Sequence, residues 1–218
     1  MFNTDMPTYK PKFITIEGSE GSGKSTQINL LKEKLVKDNI SFIIYREPGS
    51  NKLSEKIRDI LLDKSYDIND ISETMLFLGA RAQLTNENIL KSIKKQIIIC
   101  DRFTDSTLAY QGYGKGVDKE FITRCNNFIT QKLNIYLTII MDLSYKDSIS
   151  RMNKDNERKE SGQDRMESNT EEFYNKVRNG YISISKSNPD RYLLVDATQS
   201  ANSIHKLIWN KLRNEINS

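Results

Sequence analysis

The chain has 218 residues, 37% of them hydrophobic and 28% charged, enough for one large α/β domain with a full core or for two small ones. With 33 Lys and Arg against 29 Asp and Glu the net charge is +4, which suits a polyanionic ligand, and no basic stripe interleaved with aromatics points to nucleic acid. No run nears the ~20 apolar residues of a membrane span, no apolar stretch opens the chain as a secretory signal, and Cys100 and Cys125 match no metal spacing, so a reducing cytoplasm is expected.

In chain order, residues 1–11 read as a loose tail, and 12–218 as a single domain. Residues 13–17 form a short β-branched run that predicts a buried strand. Gly18-Ser19-Glu20-Gly21-Ser22-Gly23-Lys24-Ser25 follows, a complete G-x-x-x-x-G-K-[ST] loop, and from Gln27 the apolar spacing turns helical. In that setting the glycines let successive N–H groups turn inward toward phosphate oxygens. The helix N-terminus adds partial positive charge, Lys24 adds a full one, and the Ser25 hydroxyl can ligate Mg²⁺. A chance glycine-rich turn has no reason to sit between strand and helix. The chain is expected to bind a nucleoside triphosphate.

Further strands are predicted at 41–45, 96–100, 136–141 and 192–195, with amphipathic segments between them. This alternation predicts a five-stranded parallel sheet with helices on both faces and ligands at the carboxyl ends of its strands. Arg46-Glu47-Pro48-Gly49 and Asp101-Arg102 fall at such ends. Phe77 and Arg81 lie one helical turn apart, so a ring that stacks on a base and a guanidinium that bonds its carbonyl oxygen share a face. Core packing beside a surface arginine explains the same spacing. Asp101 suits a magnesium site, and the Arg102 fork suits a phosphate; in isolation the pair also fits a structural ion pair. Ser106, Thr107, Tyr110 and Gln111 offer hydroxyls, a phenol and an amide to a base and sugar, or to turns and caps.

Residues 153–163 contain no apolar side chain and read as a mobile charged loop or lid. Cys100 reads as a small buried residue, Asp196 as a brace after the last strand, and His205 and Trp209 as packing residues of a C-terminal helix.

Together these segments resemble the thymidylate kinases of the nucleoside monophosphate kinase class. The resemblance covers nearly the whole chain in order: residues 16–27, then Arg46-Glu47-Pro48-Gly49, then Phe77-x-x-x-Arg81-Ala82-Gln83. It continues with Asp101-Arg102-Phe103-Thr104-Asp105-Ser106-Thr107-x-Ala109-Tyr110-Gln111-Gly112 and ends with Asp164-Arg165-Met166-Glu167. It implies a P-loop NTPase fold with a lid at about 151–167 and transfer of the γ-phosphoryl group of ATP to dTMP, in dTTP biosynthesis. Mg²⁺ and a homodimer built partly on the 71–93 helix belong to the same expectation.

The resemblance also implies residue roles. Gly18 to Thr26 and Lys24 hold ATP, with Mg²⁺ near Ser25 and Asp101. Glu20 meets the 3′-hydroxyl of the acceptor, and Arg102 grips its phosphate. Phe77 stacks on thymine, Arg81 bonds its exocyclic oxygen, and Pro48 lines the pocket near the base. Ser106, Thr107 and Gln111 surround the base edge, and Tyr110 lies under the deoxyribose. Glu20, Ser22 and Ser25 leave the loop without an arginine, so the chain resembles the bacterial type whose lid supplies one. Arg158 is the first candidate, with Arg151 and Arg165 behind it. Ser50-Asn51 stands where Gly-Thr is common and is expected to loosen the loop, while Leu84, where His is frequent, is expected to alter surface or interface packing. The rivals are another nucleotide or deoxynucleoside kinase and a regulatory GTPase. The closest guanine-reading element, Asn153-Lys154-Asp155-Asn156, lacks the final Asp such an element carries.

Overall fold

Every expected strand forms, and each ends one residue beyond its apolar run. The five are β1 (Phe13–Gly18), β2 (Phe42–Arg46), β3 (Ile97–Asp101), β4 (Leu137–Asp142) and β5 (Tyr192–Asp196). The extra residues are polar or glycine, yet their backbones stay in the ladder: Asp101 is in register with both Ile16 and Arg46, and Asp142 with Asp196. In this computed structural model the described residues are 12–131, 133–156 and 170–216, so the expected tail, Arg158 and Arg165 lie outside them.

Among the described residues all strand pairings are parallel, in the order β2-β3-β1-β4-β5. The helices are α1 (Lys24–Lys37), α2 (Lys52–Leu62), α3 (Asp70–Leu84), α4 (Leu90–Ser92), α5 (Thr104–Thr107), α6 (Lys119–Thr130), α7 (Tyr145–Asn156), α8 (Glu171–Ser187) and α9 (Ala201–Ile216). Two π-helical turns interrupt them, Thr85–Ile89 and Leu108–Gly114. The first divides the helix expected over 71–93. The charged stretch expected as a loop from 153 begins inside α7, whose Met152 is buried and whose Ser148 is bonded to the backbone of Glu20.

Alternation along the strands sorts the two faces. Ile14, Ile16, Ile97, Ile99, Leu137, Ile139 and Met141 pack with α1 and α9. Phe13, Ile98 and Cys100 pack on the other side with Phe103, Leu84 and Ile89. Leu84 is fully buried there, so it is a core residue and not the surface substitution its sequence position suggests. Ser50 and Asn51 also correct an expectation. The Ser50 hydroxyl accepts from Arg46 N–H at 2.7 Å, Ser50 N–H donates to Glu55 at 2.6 Å, and Asn51 caps α2 by accepting from Ser54 N–H. Their side chains fasten the loop where glycine would leave it looser.

Candidate active site

The long helices α2, α3, α6 and α8 start on side-chain caps, from Asn51, Asn69, Asp118 and Thr170. By contrast α1 starts on Gly23, with no side-chain cap and no acidic residue in its first turn. Its N–H groups are left for an anion. The Lys24 ammonium donates to the carbonyls of Gly18 at 3.2 Å and Ser19 at 2.8 Å. Gly18 has φ +136°, and a Cβ there would lie 2.6 Å from the Met141 carbonyl oxygen, so the loop closes against β4 only with glycine at this position.

Beside the loop, Arg102 takes a left-handed backbone conformation, φ 66°, which costs a non-glycine residue about 1–3 kcal/mol. Its neighbours hold that turn. Arg102 N–H donates to the Ile16 carbonyl, and Phe103 N–H donates to the buried Glu17 carboxylate at 2.7 Å. Glu17 also accepts from Ser106 at 2.5 Å and from Tyr181 of α8 at 3.1 Å. The guanidinium this turn presents donates to Glu20 at 2.7 Å and stacks over Tyr110, whose hydroxyl donates to the same carboxylate at 2.8 Å. Asp105, three residues on, is anchored by Arg191 at 2.6 Å and by Tyr192.

These residues open onto a cavity lined by Glu20, Lys24, Pro48, Phe77, Arg81, Asp101, Arg102, Ser106, Thr107, Tyr110 and Gln111, with Arg46, Glu47 and Arg58 at its wall. Every residue expected to contact the acceptor is among them. Arg81 is buried, unlike a surface arginine: it donates to Glu47, to Asn126 and to the Phe103 carbonyl. Ser106 is engaged by Glu17, Tyr181 and Arg102. Gln111 and Tyr110 share the second π-helical turn, where Lys115 N–H bonds the Tyr110 carbonyl five residues back.

A second cavity lies across the loop, lined by Gly21, Gly23, Lys24, Ser25, Thr26, Arg151 and Lys154. Arg151 bridges the Gly21 carbonyl at 3.3 Å and the Ala197 carbonyl at 2.8 Å, tying α7 to the loop and to the turn after β5. Asp196 braces that turn by accepting from Thr198. Among the described residues no group of three or more His, Cys, Asp or Glu side chains could hold a metal ion. A buried oxygen of Asp101 nevertheless has no partner. One carboxylate oxygen, with the Ser25 hydroxyl lining the cavity across the loop, suits a cation that takes most of its ligands from phosphates and water.

The charges of the site oppose one another. Burial is the largest influence on Glu20, yet Arg102 and Lys24 together hold its carboxyl below the usual range. Lys24 is drawn down to about 8 by burial and then by Arg102. Glu17, Glu47, Glu73, Asn126 and Tyr181 were not singled out from sequence. Glu17 is a charged residue inside the apolar β1 run, and both it and Glu47 stand in motifs of the family resemblance; the others carry no local signal.

A model of the family described as thymidylate kinase matches residues 16–208. The thymidylate kinase of Kosmotoga olearia is 38% identical over 90% of this chain and 92% of its own length. That of Acholeplasma laidlawii is 39% identical over 92% and 98%. A crystal structure of thymidylate kinase from Ehrlichia chaffeensis superposes with a TM-score of 0.76 at 32% identity, covering 94% of this chain and 99% of that one.

The buried acids set a pH dependence. Glu17 is pushed up to about 7, first by burial and then by Asp105, against the bonds from Ser106 and Phe103 N–H. Glu47 is raised to about 7 by burial, against Arg81. The folded chain therefore keeps protons that the unfolded chain releases above about 4.5, so this stabilisation is present at acid pH and is lost as pH rises through about 7. Urea unfolding of the ligand-free chain is expected to show lower stability at pH 8 than at pH 5.5, with Glu17 supplying on the order of 2 kcal/mol. Glu17→Gln imitates the protonated acid and should roughly halve the slope; a slope of the opposite sign contradicts the assignment.

Proposed function

The chain belongs to the thymidylate kinase family, and from that premise we propose how its own residues carry the reaction it performs, transfer of the γ-phosphoryl group of ATP to dTMP to give dTDP and ADP. The fold is that of a P-loop NTPase, with five parallel strands between helices. The observation that carries the assignment of roles is that Lys24 lines both cavities. Two anions, one in each, meet at its ammonium.

In this reading ATP lies on the donor side, its phosphates on the loop N–H groups from Gly18 to Thr26, with Arg151 and Lys154 adding positive charge. The acceptor lies in the other cavity. Phe77 stacks on the base, Arg81 donates to its exocyclic oxygen, and Pro48 closes that side. Ser106, Thr107 and Gln111 lie around the base edge. Tyr110 lies under the sugar, Glu20 accepts its 3′-hydroxyl, and Arg102 grips the phosphate. A guanidinium has five donors, so Arg102 can keep Glu20 while it binds phosphate.

An oxygen of the acceptor phosphate forms a bond to the γ-phosphorus as the bond to the β–γ bridging oxygen breaks, and that electron pair leaves with ADP. The acceptor oxygen is already anionic, so no general base is required. Positioning and charge neutralisation are what the protein supplies. Mg²⁺, held by Ser25 and Asp101 with phosphate oxygens, would offset charge on the transferring group when bound. The segment expected to act as a lid adds the remaining charge, with Arg158 as its catalytic arginine. Its setting in this reading is a reducing cytoplasm, where the thiols of Cys100 and Cys125 would stay free. A second copy is the partner proposed for α3, where Ile71 is 57% exposed and Met75 48% exposed.

Three measurements test this reading. Phosphorylation of dTMP, dUMP, dCMP and AMP by ATP, run side by side with and without a chelator, should favour dTMP and fail without Mg²⁺. A preference for dCMP or AMP would overturn the base-recognition roles. Arg158→Ala should lower kcat by orders of magnitude with unchanged folding, while Arg151→Ala should act mainly on the KM for ATP; near-wild-type turnover in Arg158→Ala rejects the lid assignment. Sedimentation should give a dimer that Met75→Glu converts to monomer, and a monomeric wild-type chain refutes the proposed contact.

A further inference from the structure

Glu73, Phe77 and Arg81 follow one another at four-residue intervals along α3, on one face of the helix. Two of them line the acceptor cavity. Glu73, one turn before Phe77, is fully buried. A buried carboxylate is costly unless it is paired, and Glu73 is paired on two sides. Lys115 lies 2.9 Å from its oxygens and also reaches Asp70 at 2.9 Å, and the Gln111 amide nitrogen donates to it at 2.9 Å.

The second of these bonds has a chemical consequence. Paired with Lys115, Glu73 is a carboxylate, and a carboxylate only accepts. A reversed Gln111 amide would set two acceptors against each other at hydrogen-bond distance, so the amide has one allowed orientation. Its nitrogen is committed to Glu73, and its oxygen is the acceptor that Gln111 can offer to the cavity it lines. We propose that Glu73, backed by Lys115 and Asp70, is a positioning residue that fixes the Gln111 amide as an acceptor and thereby selects pyrimidines that carry N3–H over cytosine, whose N3 has a lone pair.

The proposal rests on the base lying beside Gln111, as in the function above, and extends it to residues that do not touch the base. It separates two kinds of discrimination. Thymine and uracil both present N3–H, so Glu73 has no part in telling them apart. Thymine and cytosine differ at that atom, and a buried polar group that meets the wrong partner is penalised heavily.

The experiment measures kcat and KM for dTMP, dUMP and dCMP in the wild-type chain, in Glu73→Gln, in Gln111→Leu and in the double variant. Glu73→Gln has nearly the same shape but can donate as well as accept, so it frees the Gln111 amide to turn. The kcat/KM ratio of dTMP to dCMP is expected to fall by about tenfold or more, through KM, while the ratio of dTMP to dUMP stays as in wild type. In the Gln111→Leu background the same substitution should add nothing to the loss. A Glu73→Gln chain whose three rates fall together, with both ratios unchanged, overturns the proposal, because that is the signature of a purely structural role. So does an equal effect of Glu73→Gln with and without Gln111. A wild-type chain that phosphorylates dCMP as well as dTMP would instead strike the reading of the cavity, and this inference with it.

Discussion

The left-handed turn at Arg102 is the constraint on which the rest of the site depends. It comes where β3 ends, beside the phosphate loop, and it reverses the chain sharply enough to aim a guanidinium back toward Glu20. Such a conformation is held only by its surroundings. Here they are the Ile16 carbonyl and the Glu17 carboxylate, both from β1, the strand that carries the loop. The phosphate loop and the Arg102 turn are therefore positioned by consecutive residues of one strand. A shift of β1 would move both together, which preserves their separation.

A second tie comes from α8. Tyr181 bonds Glu17 and Ser106 and lies 3.5 Å from the Arg102 guanidinium, while Arg178, one turn earlier, pairs with Asp142 at the end of β4. Close approach makes this possible. A Cβ on Gly180 would come within 2.8 Å of the Tyr113 ring, so the helix lies against the π-helical turn that carries Tyr110 and Gln111. Helix α8 thus reaches Ser106 and Arg102, which line the first cavity, directly. Charge is balanced across the same region: Lys24, Arg46, Arg58, Arg81 and Arg102 face Glu20, Glu47 and Asp101 around one cavity. Cations sufficient for two polyanionic ligands would repel one another without these carboxylates.

Much of this was legible locally. The apolar runs of β1, β3 and β4 became the central strands because a strand buried on both faces needs a near-continuous apolar run, while the edge strands β2 and β5 are only partly buried. Their ends were missed by one residue because Asp101, Arg46 and Asp142 are polar, although their backbones still pair. The π-helical turns at Thr85–Ile89 and Leu108–Gly114 left no periodicity to read. Leu84 and Ser50 were misjudged by comparison with a pattern. Whether Leu84 faces a core and whether a serine hydroxyl finds the Arg46 backbone depend on neighbours far along the chain.

The sequence by itself determined the phosphate loop and the succession of strands along the chain, since each is written in a contiguous motif or a short period, whereas Phe77, Arg81, Tyr110 and Gln111, which line one cavity, were expected beside a ligand only through the family resemblance. Only the tertiary structure decided how those residues are held. Glu17 with Tyr181, Arg81 with Glu47 and Asn126, and Gln111 with Glu73 are pairs separated by 34 to 164 positions. A buried polar group must find a partner wherever the fold brings one, and no local pattern records which partner that is.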